Sequence, residues 1–328
     1  MTATKRAMFW MVGICCLPAM MFSETFNFKP TAWYMTFSYD HPVALRIKPG
    51  DRVVTQTVDN QGNDLNEKRL VVGGNPEIGP FYIEGAEPGD TLVVTFEKME
   101  TNRKTAHSST NLAPYTVDPQ YLLQRQPGQA PPAAWVLDKE KGVGRLEHPD
   151  LLPTMMELPL RPMLGCVATA PARKESIGTG TPGPWGGNMD YNGMGAGAKL
   201  MLPVNEPGAL LYMGDGHARQ GDGEVVGSGM ETSLDVTFTV DLIKKKTIAW
   251  PRLENSDYIM VIASARPVLE AIQHATTEMS KMLIADYGFN EHGAAAFMGE
   301  AVEYEVANIV DPSFTIVAKI KKAYLPKK

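Results

Sequence analysis

The chain has 328 residues, of which 44% are hydrophobic and 21% charged, and its formal net charge is −6. These values are typical of a globular protein with one large domain or two closely packed ones, and they exclude a disordered chain. The acidic charge also argues against a nucleic-acid partner, because binding to a phosphate backbone needs an excess of Lys and Arg. A small molecule is therefore the expected partner.

The N-terminal segment has the layout of a secretory signal peptide. Lys5 and Arg6 precede an apolar run over residues 7–17, and small residues follow near Ser23. We expect residues 1–23 to be removed on export, which predicts a periplasmic protein that meets a membrane only through this segment. A retained anchor is the alternative, but the apolar run is shorter than the roughly 20 residues that a membrane span needs.

Removal of this segment would leave Cys166 as the only cysteine and would make the net charge about −8, since two basic residues are lost. An intramolecular disulfide would then be impossible, so a large core must stabilise the exported chain. Small and apolar neighbours on both sides of Cys166 indicate a buried structural thiol, because a nucleophilic thiol needs an electropositive setting.

Several short segments rich in β-branched and apolar residues predict strands, at residues 52–58, 91–96 and 312–321. The clearest strand covers residues 233–242, where apolar and polar side chains alternate strictly. This period of two predicts one buried face. A Pro-Gly-Asp sequence stands before two of the predicted strands, at residues 49–51 and 88–90, and is typical of a tight turn.

Two further regions have different patterns. Residues 101–183 are rich in Pro, Gly, Gln and Asn, which predicts long loops and short elements. Apolar residues at three- and four-residue steps predict a helix over residues 266–287, with Gly288 as its C-terminal cap, and Asn290 is a candidate N-cap for another. We therefore predict a mainly β fold, with sandwich- or barrel-like β units and a small C-terminal α/β segment whose helical part covers about 265–305.

Between residues 186 and 231, glycines separate acidic side chains and one imidazole. These side chains belong to Asp190, Asp215, His217, Asp222, Glu224 and Glu231. Glycine permits close backbone approach, so such segments can gather carboxylates and an imidazole around a divalent cation, which can activate water and polarise a carbonyl. Asp-Gly pairs are also common in plain hairpin turns, so the residues alone indicate either a metal or acid/base site or solvated turns.

Ordered blocks in this region resemble the signature of the acetamidase/formamidase family. The blocks are Gly187-Asn-Met-Asp190, Leu202-Pro-Val204, Pro207-Gly-Ala-Leu210, Gly214-Asp-Gly-His-Ala218 and Gln220-Gly-Asp-Gly-Glu224. Residues 79–90 resemble the other signature block of that family. The resemblance covers residues 44–320 and is most specific at 214–224, and it implies one catalytic domain over residues 24–328.

The resemblance implies hydrolysis of a short aliphatic amide, of the formamide or acetamide kind, to a carboxylate and ammonia. It also implies a β-rich enzyme that can hold zinc or calcium as its divalent cation. Carried onto this sequence, it makes Asp190, His217 and Glu224 the leading metal or proton-transfer groups, with Glu231 as a further catalytic candidate. The other implied metal ligands are Asp215, Asp222, Glu84 and His41.

Two alternatives remain open at this point. The scaffold could serve a periplasmic small-molecule binding protein that lacks turnover, or it could hydrolyse another kind of C–N bond. We also expect a homo-oligomer, because large β-rich enzymes often associate.

Overall fold

The computed structural model describes residues 23–124, 131–146, 151–152 and 154–327. All of the predicted signal peptide except Ser23 lies outside the described residues, so its cleavage and the export of the chain stay predictions. Within the described ranges, no helix is both long enough and apolar enough to cross a membrane.

The described residues form twenty strands and three α-helices. In chain order, the strands are β1 (Thr25–Asn27), β2 (Thr36–Phe37), β3 (Leu45–Ile47), β4 (Arg52–Gln56), β5 (Glu77–Ile83), β6 (Thr91–Thr101), β7 (Thr105–Ser108), β8 (Ala133–Asp138), β9 (Val143–Leu146), β10 (Met156–Pro159), β11 (Met163–Ala168), β12 (Ile177–Gly178), β13 (Gly186–Asn188), β14 (Lys199–Pro203), β15 (Leu211–His217), β16 (Leu234–Ile243), β17 (Arg252–Glu254), β18 (Tyr258–Ala265), β19 (Glu303–Asn308) and β20 (Phe314–Lys321). The helices are α1 (Pro119–Gln124), α2 (Val268–Tyr287) and α3 (Glu291–Ala301).

The strands of the described chain are arranged in four sheets. A nine-stranded sheet has the order β1-β4-β16-β6-β14-β17-β18-β20-β19, and a five-stranded sheet has the order β13-β11-β15-β5-β3. A four-stranded sheet, β10-β9-β8-β7, and a strand pair, β12-β2, complete the set. The predicted mainly β class with a few C-terminal helices is therefore confirmed.

The main hydrophobic core joins the nine-stranded and five-stranded sheets as a sandwich. Phe81 of β5 and Phe238 of β16 meet edge to face across this core, with ring centroids 5.4 Å apart. Both rings are fully buried, and burial of one such side chain contributes about 1.5–3 kcal/mol. The sandwich thus gives β5, β11 and β15 a rigid support, and these three strands carry the site described below.

Strand β16 confirms the strand predicted from alternation at residues 233–242. Leu234, Val236, Phe238 and Val240 are buried, and the residues between them are partly exposed. The predicted strands at 52–58, 91–96 and 312–321 are also present, as β4, β6 and β20, with ends that differ by a few residues. Strand ends depend on where the partner strand ends, which local sequence does not encode.

The two Pro-Gly-Asp sequences form the same turn. In each, the aspartate backbone N–H donates to the carbonyl three residues earlier, from Asp51 to Lys48 and from Asp90 to Glu87, at 3.0 Å. The aspartate carboxylate in turn accepts from the N–H of Lys48 or Glu87 at 2.9 Å. The glycine before each aspartate has a positive φ, 93° and 94°, which favours glycine.

The predicted helices are present, with the predicted caps. Gly288 ends α2 in a left-handed conformation, with its N–H bonded to Leu283 O, and the Asn290 side chain accepts the N–H of Gly293 at the start of α3. Their apolar faces pack on β18 and β20 in a second core. Residues 101–183 contain more regular structure than predicted, because the four-stranded sheet and β11 lie there.

Candidate active site

The glycine-spaced residues come together at the carboxyl end of β15. This strand lies in the middle of the five-stranded sheet, and all seven of its residues are buried. Its last residue, His217, pairs with Met163 of β11 on one side and with Glu231 through an isolated bridge on the other. Strand pairing therefore brings Glu231 beside His217, although fourteen positions separate them in the sequence.

Three acidic residues of this region have left-handed backbone conformations. The φ angles are 44° at Asp190, 55° at Asp215 and 48° at Glu224. For residues other than glycine, such conformations are uncommon and cost on the order of 1–3 kcal/mol each, and they cluster at functional sites. Asp190 is held in place by its backbone N–H, which donates to Gly165 O of β11 at 3.0 Å.

The side chains form one buried cluster. His217 Nε2 lies 3.1 Å from Glu231 Oε1 and 3.4 Å from Asp215 Oδ1. Asp190, His217 and Glu224 form a second group that shares the imidazole, and in each group the donor atoms lie within 4.8 Å of one another. These two groups of acidic and imidazole donors are close enough to hold a metal ion.

Gln220 determines which nitrogen of His217 carries a proton. Its Nε2 donates to the carbonyl oxygens of Asp190 (2.6 Å) and Ala307 (3.2 Å), which can only accept. Its Oε1 must therefore face the imidazole, where it lies 2.8 Å from Nδ1. The hydrogen bond places a proton on Nδ1 and leaves Nε2 of the neutral ring as a lone-pair donor directed at the carboxylates.

Two asparagine side chains orient Asp190 and connect it to another carboxylate. Asn188 Nδ2 donates to Asp190 Oδ2 at 2.7 Å and to Asp311 Oδ2 at 2.8 Å. Asn308 Nδ2 donates to the same two oxygens, at 3.3 Å and 3.0 Å. Asp190 Oδ2 is thus fully engaged, and Oδ1 is left to face the cluster.

Burial and mutual repulsion disfavour the charged forms of the carboxyl groups. Burial raises the pKa of Asp190 and of Glu224 well above the usual range, and it raises the pKa of Glu231 to about 7 and of Asp311 to about 6. Burial alone would lower the pKa of His217, but the carboxylates of Glu231 and Asp215 outweigh it and raise that pKa. A bound cation would offset both effects and favour the carboxylate forms.

Three atoms of the cluster fit a divalent cation. Asp190 Oδ1, His217 Nε2 and Glu231 Oε2 are buried and have no hydrogen-bond partner among the described residues. An unpartnered buried polar group costs about 1–3 kcal/mol, and a cation held by either donor group would contact His217 together with Asp190 or with Glu231. A cavity of about 510 Å³ opens beside them, and the carboxyl groups of Asp215, Glu224, Glu231 and Asp311 line it.

The structure places three of the predicted ligands outside the cluster, which corrects those assignments. Asp222 is exposed and accepts a hydrogen bond from Asn192 at 2.6 Å. Glu84 is also exposed. It follows the end of β5 that is remote from the cluster, seven residues beyond Glu77, and a strand of that length spans roughly 20 Å.

His41 belongs to a separate aromatic group. Its Nδ1 lies 3.1 Å from the hydroxyl of Tyr212 and its Nε2 lies 3.2 Å from Thr36 Oγ1. The ring also stacks on Tyr34, with centroids 4.0 Å apart. Both ring nitrogens are therefore engaged, and the predicted metal-ligand role of His41 is not supported by its position.

The sequence-based prediction missed several residues that surround the cluster. Gln220 lies inside a recognised block, and its position three residues after His217 could have indicated a partner. Asn308 and Asp311 carry no such signal, because they lie at the end of β19 and just after it, more than eighty residues after the recognised blocks. Glu77 was also missed: it is fully buried opposite Gly214, and burial together with the charge of Asp215 raises its pKa well above the usual range.

Because Gly165 has no side chain, the carboxylates of Asp190 and Asp215 can both lie close to its Cα. A Cβ atom at this position would lie 2.3 Å from Asp190 Oδ1 and 2.4 Å from Asp215 Oδ2. We expect Gly165→Ala to displace both carboxylates and to lower the kcat of the reaction proposed below about a hundredfold, because misplacement by about 1 Å can cost that much. Steady-state kinetics measures the effect.

The matched control is Gly178→Ala, where a Cβ atom would meet nothing within 4 Å. This variant should keep the kcat of the unmodified chain, and thermal unfolding should show that both variants are folded. Equal activity in the two variants would contradict the placement of the carboxylates beside Gly165.

Comparison with known sequences agrees with the resemblance noted above. Residues 145–326 match the model of the Acetamidase/Formamidase family. A formamidase-like protein of Schizosaccharomyces pombe is 27% identical over 257 residues, a match that covers 62% of this chain and 62% of that protein. The formamidase of Methylophilus methylotrophus is 25% identical, over 83% of this chain and 84% of its own.

A solved structure extends the likeness to almost the whole chain. The acetamidase from Yersinia enterocolitica is 30% identical, with a TM-score of 0.79, and the match covers 94% of this chain and 95% of that one. More than half of the chain thus matches the family model, and its fold is similar to that of this acetamidase over 94% of the chain. We conclude that this chain belongs to the acetamidase/formamidase family.

Proposed function

We propose that the chain hydrolyses a short linear carboxamide to a carboxylate and ammonia, with a divalent cation held by the buried cluster. The observation that carries this proposal is that His217 belongs to two groups of buried donors, one with Asp190 and Glu224 and one with Asp215 and Glu231. Asp190 Oδ1, His217 Nε2 and Glu231 Oε2 have no hydrogen-bond partner among the described residues. The relatives named formamidase and acetamidase support the reaction class.

The donor set favours zinc over calcium. Zinc binds imidazole nitrogen together with carboxylate oxygen, whereas calcium takes six to eight oxygen ligands. His217 would supply the nitrogen, and Asp190, Glu224 and Asp215 would supply oxygens. When bound, such a cation lowers the pKa of a water molecule and polarises a carbonyl group.

Glu231 is suited to move the proton that amide hydrolysis requires. Its Oε1 accepts the N–H of Gly229 at 3.0 Å, and its Oε2 has no partner among the described residues. Because burial raises its pKa to about 7, the carboxylate can take a proton from the attacking water and return it to the leaving nitrogen near neutral pH. Gln220 keeps the His217 ring fixed during these steps.

The test is ammonia release from formamide, acetamide and propionamide by the purified chain, before and after dialysis against a chelator. We expect release that falls at least about tenfold on cation removal and returns with zinc, because a cation supplies several kcal/mol of stabilisation. Metal content measured on the same samples shows whether the chelator acted.

Each other outcome changes a different part of the proposal. Release that persists in protein shown to be free of metal would overturn the cation. No release from any amide under any metal condition would instead favour the non-catalytic binding protein. Export through residues 1–23 and assembly into a homo-oligomer stay predictions from the sequence.

A further inference from the structure

Polar side chains and glycines line the cavity of about 510 Å³ beside the cluster. None of the described residues that line it has an aliphatic or aromatic side chain. Small-molecule sites are more often lined mainly by apolar groups, which stabilise the acyl chain of an aliphatic ligand. This cavity is therefore better suited to a substrate that is polar at both ends than to one with a plain alkyl chain.

Arg69 is the one cationic side chain among the described residues that line the cavity. It is exposed, and no carboxylate of the described residues forms an ion pair with it. The nearby Glu67 is engaged with the hydroxyl of Thr105 instead. A guanidinium that has no ion-pair partner among the described residues thus lines the same cavity as four carboxyl groups.

Arg69 lies on a loop that its own aspartates hold in shape. Asp64 Oδ1 accepts the backbone N–H groups of Asn66 (2.8 Å) and Lys68 (3.0 Å), and Asn63 pairs with Arg69 across the loop. At the base of the loop, Asp59 Oδ1 accepts the N–H of Asn63 at 2.8 Å. The backbone of Arg69 is therefore fixed before any ligand binds, which lowers the entropic cost of binding.

We propose that the substrates of this chain are short linear amides that carry a carboxylate at the end remote from the amide, and that Arg69 binds this carboxylate. The inference rests on the proposed amide hydrolysis. A guanidinium donates paired hydrogen bonds to a carboxylate, and Arg69 is the one cationic side chain among the described residues that line the cavity. Binding there orients the substrate in one direction, with its amide toward His217 and Glu231.

The test compares succinamate, which has a carboxylate at one end, with succinamide, its neutral isostere. Ammonia release is measured for the unmodified chain and for Arg69→Met, Arg69→Lys and Lys68→Met. We expect the unmodified chain to prefer succinamate, and Arg69→Met to lower the succinamate-to-succinamide ratio of kcat/KM about tenfold or more, through KM, because hydrogen bonds between charged groups are worth that much.

The other two variants separate charge from geometry. Arg69→Lys should fall between the unmodified chain and Arg69→Met, since lysine keeps the charge but loses the paired donors. Lys68 is an exposed neighbour that does not line the cavity, so Lys68→Met should leave the ratio unchanged. A ratio that falls equally in Arg69→Met and Lys68→Met would reduce the effect to general surface charge and overturn the inference.

A preference for succinamide, or an unchanged ratio in Arg69→Met, would overturn the role of Arg69 while the release of ammonia still supports amide hydrolysis. If neither compound releases ammonia, calorimetric titration with succinamate gives a separate answer. Weaker binding to Arg69→Met than to the unmodified chain would support carboxylate recognition, and equal binding would refute it.

Discussion

Asp190→Asn is expected to lower the kcat of amide hydrolysis about a thousandfold and to remove the cation from the purified protein. Asp190 Oδ2 accepts hydrogen bonds from Asn188 and Asn308, whereas Oδ1 faces the cluster without a partner among the described residues. An asparagine would keep its oxygen toward those two amides and direct its NH₂ group at the cation. Loss of that cation removes several kcal/mol of transition-state stabilisation, and each loss of about 1.4 kcal/mol lowers the rate tenfold.

Asp222→Asn is the matched control for this variant. It makes the same chemical change in the same glycine-rich region, but Asp222 is exposed and outside the cluster. Activity and metal content should therefore stay near those of the unmodified chain, and both variants should unfold cooperatively at similar temperatures. Equal losses in the two variants, or full metal content in Asp190→Asn, would contradict the assignment of Asp190 as a ligand.

Arg103→Met is expected to lower the free energy of unfolding by about 3–5 kcal/mol, because it leaves a buried charge without its partner. Arg103 Nη2 lies 2.7 Å from Asp59 Oδ2, and the two side chains are 6% and 0% exposed. The same nitrogen donates to Glu231 O at 3.3 Å, so the pair also joins the Arg69 loop to the cluster. Chemical denaturation monitored by fluorescence measures the change.

Two further variants test the cause of this loss. The double variant Arg103→Met with Asp59→Asn removes both charges and should recover part of the lost stability. Arg52→Met breaks a solvent-exposed ion pair, in which the side chains of Arg52 and Glu97 are 48% and 31% exposed. It should lower the free energy of unfolding by less than about 1 kcal/mol. A similar cost for Arg52→Met and Arg103→Met would show that burial of the Asp59 pair is not the cause.

Local patterns were sufficient for much of the fold. Alternation along residues 233–242 predicts β16 because a strand turns successive side chains to opposite faces. Gly288 and Asn290 predict the helix boundaries, since their conformations or side chains satisfy backbone groups within a few residues. The Pro-Gly-Asp turns are local in the same way. In contrast, the four-stranded sheet in residues 101–183 was not predicted, because its strands gain their stability from one another.

The same distinction between local sequence and tertiary structure applies to the candidate site. The glycine-spaced motif identified Asp190, Asp215, His217, Glu224 and Glu231, which the structure gathers into one cluster. It could not separate these from Asp222, two positions before Glu224, because both lie in the same acidic, glycine-rich run. The left-handed backbone at Glu224 and at the preceding glycine turns one carboxylate inward and leaves the other in solvent.

The sequence by itself determined the family resemblance, the mainly β class, the helix caps and the donor types of the cluster, because each depends on residues close together in the chain. Only the tertiary structure decided which donors converge, that Asn308 and Asp311 join them, and that Arg69 lines the same cavity as the cluster. The physical reason is that burial and charge proximity arise when distant strands pair, and a linear sequence carries neither quantity.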